Sequence, residues 1–89
     1  MLSREVTISN KLGLHARAAA KLVGIANGFG AEVTLEKKGQ RVNGKSIMGV
    51  MMLAASKGTV IQLSVDGEGE QQVMQALVAL IDNKFGESE

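Results

Sequence analysis

The chain of 89 residues contains no cysteine, proline, tryptophan or tyrosine, and only two phenylalanines. Without cysteine there is neither a disulfide framework nor a thiolate metal site, and we expect a reducing compartment, by default the cytoplasm. The scarcity of aromatic rings leaves little for nucleic-acid bases to stack on, so no nucleic-acid partner is expected. A single histidine excludes a metal site with several histidine ligands, and the sequence predicts no cofactor.

Long hydrophobic runs are also missing. The longest uncharged apolar stretch, residues 47–55, has nine residues, whereas a helix that spans a bilayer needs about 20. Residues 1–8 contain no apolar run of the kind found in secretory signals. We therefore expect no membrane insertion and no export. At this length we predict one domain over residues 1–89, expected to be a monomer, and exclude a two-domain enzyme.

Charge is unevenly distributed along the chain. Residues 1–57 carry nine lysines and arginines against three glutamates, and residues 58–89 carry one lysine against six acidic residues. An anion or an acidic partner is therefore expected near the first two thirds of the chain.

Hydrophobic periodicity, turns and caps predict four strands and three helices. Apolar and polar residues alternate with the period of a strand in residues 5–9, 32–36 and 61–65, and residues 40–42 can return as a short partner strand after the turn at residues 37–39. Helical patterns cover residues 16–27, 47–53 and 70–85. The resulting order, strand, helix, strand, strand, helix, strand, helix, predicts an α+β fold with helices covering one face of a mostly antiparallel sheet.

The only histidine, His15, lies where the first helix begins. The backbone N–H groups of Ala16, Arg17 and Ala18 have no acceptor within the helix and would favour an anion attached to the imidazole ring. Arg17 adds a planar set of donors suited to phosphate. The simpler interpretation is a surface histidine at a helix start with no chemical role.

Two separated motifs carry a family resemblance. The run Asn10-Lys11-Leu12-Gly13-Leu14-His15-Ala16-Arg17 and the later run Asn43-Gly44-Lys45-Ser46-Ile47-Met48-Gly49-Val50-Met51 resemble the histidine-containing phosphocarrier protein HPr of the bacterial phosphoenolpyruvate-dependent phosphotransferase system. The resemblance extends over the whole chain.

The resemblance implies an open-faced β-sandwich, in which a four-stranded antiparallel sheet is covered on one face by three helices. It implies that His15 accepts a phosphoryl group on Nδ1 from phospho-Enzyme I and passes it to Enzyme IIA proteins, with Arg17 steadying the phosphoryl charge. Such a protein is a carrier with a phosphohistidine intermediate rather than a stand-alone enzyme. The family usually has proline directly after this arginine, whereas this chain has Ala18. A related nitrogen-branch phosphocarrier shares the histidine motif and is the alternative.

Ser46 has two compatible interpretations. Serine is a preferred N-cap residue and would open the helix over residues 47–53, while the resemblance implies regulatory phosphorylation by HPr kinase/phosphorylase where that enzyme exists. A helix this short cannot turn all its apolar residues inward, so we predict an exposed, methionine-rich docking surface, with Leu53 the least exposed residue of the run. The predicted docking residues are Ala20, Lys45, Ile47, Met48, Met51 and Met52.

One motif points to a different chemistry. Residues 39–46 match the phosphate-binding pattern G-x-x-x-x-G-K-[ST] letter for letter. That loop must connect a buried parallel strand to a full helix, whereas here its middle resembles the return strand of a hairpin. A nucleotide-binding protein is therefore a remote alternative, and an interaction domain without chemistry is the third hypothesis.

Overall fold

The computed structural model describes residues 1–89 and contains a single four-stranded sheet. Its strands are β1 (Leu2–Thr7), β2 (Glu32–Lys37), β3 (Gln40–Asn43) and β4 (Val60–Asp66). Their spatial order is β1-β4-β2-β3, and every neighbouring pair is antiparallel. The predicted sheet is confirmed, and the structure adds the strand order, which periodicity does not encode.

Three helices complete the predicted α+β architecture. They are α1 (Ala16–Ala26), α2 (Ile47–Met52) and α3 (Glu70–Asp82), and α1 packs against both of the others. None of them combines the length and apolarity that a bilayer-spanning helix requires. The strands alternate buried and exposed residues, so the sheet has one face toward the core.

The core is one cluster of 23 buried apolar residues. β4 contributes Ile61, Leu63 and Val65, each at most 1% exposed, and α1 contributes Leu22 and its small alanines. Alanine lets α1 lie close to its neighbours, which fixes the position of the helix start that carries His15.

The end of α3 differs from the sequence prediction. A helix was predicted through residue 85, but α3 ends at Asp82 and a single 3-10 turn follows at Lys84–Gly86. Lys84 and Phe85 both adopt positive φ angles, 55° and 56°, which a helix cannot continue. This reversal turns the fully buried Phe85 into the core, and the burial of its aromatic ring offsets the unfavourable backbone.

The first strand also differs from its predicted bounds. It was predicted at residues 5–9, but β1 extends from Leu2 to Thr7 and pairs with residues 60–65 of β4. The neighbouring strand determines this register, so the polar residues Ser3 and Arg4 join the ladder despite their weak pattern.

Candidate functional site

His15 is the N-cap residue of α1 and is presented by a tight loop. Its backbone is extended, with φ −72° and ψ 177°, and its carbonyl oxygen accepts from the Ala19 N–H at 2.8 Å. Two residues earlier, Gly13 has φ +66°, and a Cβ there would lie 2.4 Å from the Ala55 carbonyl oxygen. Only glycine fits this approach, which brings the buried Leu14 and then His15 to the helix start.

The first turn of α1 offers unpaired donors beside the imidazole ring. The N–H groups of Ala16, Arg17 and Ala18 precede the first intrahelical hydrogen bond, and no acidic residue lies in this turn. The N–H groups at the positive end of the helix therefore have no partner within the chain and can interact with an anion.

A carboxylate that the sequence analysis did not anticipate reaches the ring from the far end of the chain. Glu87 Oε2 contacts His15 Nε2, and this is the only hydrogen bond of the imidazole. The other oxygen of Glu87 accepts from Asn10 Nδ2 at 3.1 Å. The hydrogen bond with His15, supported by that with Asn10, holds the pKa of Glu87 below its ordinary value. His15 Nδ1 remains free.

Asn10 ties this carboxylate to the loop that presents the histidine. Its side chain is fully buried, and besides Glu87 its amide donates to the Gly13 carbonyl oxygen at 2.8 Å. The two donors of one amide thus connect the Gly13 turn and Glu87.

Arg17 and His15 line the same open depression, of about 630 Å³. The Arg17 guanidinium forms no ion pair, whereas Lys11, the other cation of the depression, pairs with Glu89 at 3.6 Å. The donors of Arg17 are therefore available to an anion bound there. The depression is lined by Lys11, Leu12, His15, Ala16, Arg17, Glu87, Ser88 and Glu89.

Burial and hydrogen bonds hold the segment that carries Glu87 in place. Phe85 is buried, and its carbonyl oxygen accepts from Lys21 Nζ at 2.7 Å. The Lys11 N–H donates to the Glu89 carbonyl oxygen at 3.0 Å. His15 and Glu87 are 72 positions apart in sequence, so no local spacing could reveal the pair. The usable signal was Phe85-Gly86, an apolar residue and a glycine typical of a chain that turns back onto the core.

Ser46 is the N-cap of α2, as predicted. Its Oγ accepts from the Gly49 N–H at 3.0 Å, and its backbone is extended. The side chain is only partly buried.

The predicted docking residues divide into an exposed group and one that is engaged. Met48 is 71% exposed, and the other exposed members are Ala20, Ile47, Met51 and Met52. Lys45 is instead partly buried, and its Nζ donates to the Phe29 carbonyl oxygen at 2.8 Å. Leu53 is fully buried, so it belongs to the core and not to this surface. We call Ile47, Met48, Met51 and Met52 the α2 apolar patch.

Residues 39–46 do not form a phosphate-binding loop. Lys38 and Gly39 make a hairpin turn with positive φ angles, and Gln40–Asn43 is the edge strand β3, antiparallel to β2. The following helix, α2, has only six residues. The pattern match therefore lacks the parallel strand and the long helix that the chemistry requires.

Comparison with known proteins identifies the family. A family model described as the PTS HPr component phosphorylation site matches residues 2–83. The chain belongs to the HPr family. It is 59% identical to phosphocarrier protein HPr of Xylella fastidiosa strain Temecula1, over 98% of each chain. The crystal structure of HPr-C-His from Thermoanaerobacter tengcongensis matches with a TM-score of 0.96 and 46% identity, over all of both chains.

A second HPr structure adds an oligomeric comparison. The crystal structure of an HPr dimer from Thermoanaerobacter tengcongensis is 47% identical, with a TM-score of 0.78, and covers 98% of this chain and 100% of its own. Membership of the HPr family makes this chain a phosphocarrier protein of the phosphotransferase system and confirms the open-faced fold.

Proposed function

We propose that this chain accepts a phosphoryl group on Nδ1 of His15 from phospho-Enzyme I and passes it to Enzyme IIA proteins. The observation that carries the proposal is the arrangement of His15 at the start of α1, with a free Nδ1, unpaired helix N–H groups and an unpaired Arg17 in one depression. We further propose that residues 1–89 act as a single monomeric domain in the cytoplasm.

The chemistry at His15 needs a nucleophile and a site that tolerates a dianion. An imidazole nitrogen with a free lone pair is the nucleophile. The phosphoryl oxygens gain hydrogen bonds from the backbone of Ala16 to Ala18, and the Arg17 guanidinium supplies a positive charge. Because the site is open to solvent, a partner can align its own phosphoryl donor or acceptor with Nδ1.

The α2 apolar patch supports a docking role. Four exposed apolar side chains on one short helix are more than solubility favours, and methionine adapts to partners of different shape. Ala20, exposed on α1, is proposed to belong to the same interface. A role for Lys45 would require its hydrogen bond with Phe29 to break.

Ser46 is proposed as a regulatory phosphorylation site for HPr kinase/phosphorylase. A phosphate at the N-cap would be stabilised by the helix terminus, so the fold should survive. The added charge beside the α2 apolar patch would instead oppose docking.

The relatives favour this function over a nitrogen-branch role, since those with 56–59% identity are named phosphocarrier protein HPr. The identity of the Enzyme IIA that accepts the phosphoryl group is what separates the two branches.

Incubation with phosphoenolpyruvate and Enzyme I tests the proposal. We expect the mass of one phosphoryl group to be added, to be lost in acid, and to be absent from His15→Ala, which should keep its fold because His15 lies outside the buried core. Labelling retained in His15→Ala would move the chemistry to another residue. Hydrolysis of ATP by the chain alone would support nucleotide binding. If neither phosphorylation nor ATP hydrolysis occurs, the result would support a domain without chemistry.

A further inference from the structure

The contact between Glu87 and His15 lies outside residues 2–83, which the family model matches. The family model therefore includes His15 but not Glu87. Glu87 is largely buried, with its side chain 16% exposed, and that of His15 is 27% exposed. A carboxylate sheltered in this way orients its partner more strongly than a solvent-exposed one.

We propose that Glu87 is a positioning residue for phosphoryl transfer: it holds the proton of His15 on Nε2 and thereby keeps the lone pair on Nδ1. A neutral imidazole has one N–H and one lone pair, and the partner of one nitrogen determines the state of the other. The ionised carboxylate can only accept a hydrogen bond, so Nε2 must donate. This inference rests on the proposed function for its catalytic meaning.

Glu87 also contributes once the new bond has formed. When the lone pair of Nδ1 bonds to phosphorus, the bond between phosphorus and the donor atom of phospho-Enzyme I breaks, and the electron pair of that bond stays on the donor atom. No proton needs to move, because Nε2 keeps its hydrogen. The His15 ring gains one positive charge, and the donor loses one positive charge when it takes the electron pair. The carboxylate of Glu87 stabilises the cationic ring, so it favours the phosphorylated chain.

The protein fixes the carboxylate from both sides. Asn10 donates to one oxygen and leaves the other for His15. The buried Phe85 and its hydrogen bond with Lys21 hold the chain two residues before Glu87. An orienting residue must itself be supported, and here the supports come from the 10–14 loop and from α1.

The state of the imidazole can be measured without any partner. Nitrogen NMR of the unphosphorylated chain at about pH 9, where imidazole is neutral, should show Nε2 protonated and Nδ1 unprotonated. In Glu87→Gln and Glu87→Ala the fraction with the proton on Nδ1 should rise. The matched control is Glu68→Gln, which removes the same charge from an exposed side chain without an ion pair. A parent protonated on Nδ1, or variants with the parent's populations, would overturn the proposal.

Transfer from phospho-Enzyme I provides the second measurement. We expect both Glu87 variants to accept the phosphoryl group about tenfold more slowly, as when a group that orients a histidine is removed. The equilibrium should also shift toward phospho-Enzyme I, with Glu68→Gln matching the parent. If the parent is not phosphorylated, the proposed function fails while the NMR result stands. If all the proteins are phosphorylated at equal rates and to equal extents, only the role of Glu87 fails.

Discussion

Groups of both charge signs surround His15. Arg17 and the start of α1 line the same depression as the imidazole ring, and the Glu87 carboxylate contacts Nε2. The positive groups favour a bound dianion, and the carboxylate favours the cationic ring that would carry it. Both ring nitrogens of His15 thus contribute to a stable phosphorylated state. The helix terminus alone would stabilise only the phosphoryl group on Nδ1.

Arg17 should accelerate transfer without being indispensable. Its guanidinium is exposed, so we expect Arg17→Ala to slow phosphorylation about tenfold, near the lower limit for hydrogen bonds to a charged group. The phosphorylation rate of Arg17→Lys should fall between those of the parent and Arg17→Ala, because lysine keeps the charge and loses the planar donor geometry. Rapid-quench assays of transfer from phospho-Enzyme I measure these rates. The control is Arg4→Ala, which changes an exposed arginine on β1. Equal rates for Arg17→Ala and the parent would leave the backbone N–H groups as the sole stabilisers.

Among individual residues, the sequence predicted only those whose role follows from a local pattern. His15, Arg17 and the Ser46 cap were evident because each lies at a helix start, and their motifs are contiguous. Glu87 and Asn10 were not evident, because their roles depend on a contact between residues 72 or more positions apart. The local pattern therefore predicted a purely electropositive site, and the carboxylate of Glu87 contradicts this prediction.

Among the elements, α2 depends most on its cap. With six residues it is too short to be stable alone, and Ser46 supplies the bond to the Gly49 N–H. We expect Ser46→Ala to cost about 1 kcal/mol of unfolding free energy, which lowers Tm by about 4–8 °C in a domain of this size. Thermal unfolding followed by circular dichroism measures the change. A Tm equal to that of the parent would show that packing of Val50 and Leu53 holds α2 without the cap.

Ser46→Asp separates the structural role of this position from the proposed regulatory one. Aspartate is also a good N-cap, so we expect Tm to stay near that of the parent. Binding to Enzyme I should weaken, because a new charge beside Ile47 and Met48 must lose solvent on docking. Titration calorimetry tests this, with Gln71→Glu on the exposed side of α3 as a control for charge alone. Equal affinity for Ser46→Asp and the parent would remove the basis for regulation at Ser46.

Element boundaries were less predictable than element types. Periodicity predicted three strands and the helices α1 and α3, because each of these has an apolar face toward the core. The hairpin turn before β3 and the serine cap of α2 predicted the other two elements. The errors occur where tertiary contacts decide: β1 extends to match β4, and α3 ends early so that Phe85 can enter the core. The second of these also hid Glu87, since a helix through residue 85 would carry the segment in another direction.

For the whole molecule, the free energy of unfolding should decrease in acid, because two hydrogen-bonded glutamates become protonated there. Hydrogen bonds lower the pKa of Glu87 from 4.5, chiefly through His15, and that of Glu70, chiefly through the Gly67 N–H. A lowered carboxylate pKa adds stability that is complete above the unfolded value and is lost as pH falls through the folded value. Urea unfolding should therefore show that the free energy of unfolding decreases between about pH 5 and pH 3. The decrease should be smaller in Glu87→Gln. An identical decline in parent and variant would exclude Glu87 as a contributor.

The most direct test of the whole account is to locate the phosphoryl group on the isolated phosphorylated chain. Nitrogen and phosphorus NMR of protein labelled at its single histidine can identify which ring nitrogen is bonded to phosphorus and which bears a proton. We predict that phosphorus is bonded to Nδ1 of His15 and that Nε2 keeps its hydrogen toward Glu87. Phosphorus bonded to Nε2, or to any other residue, would contradict the account.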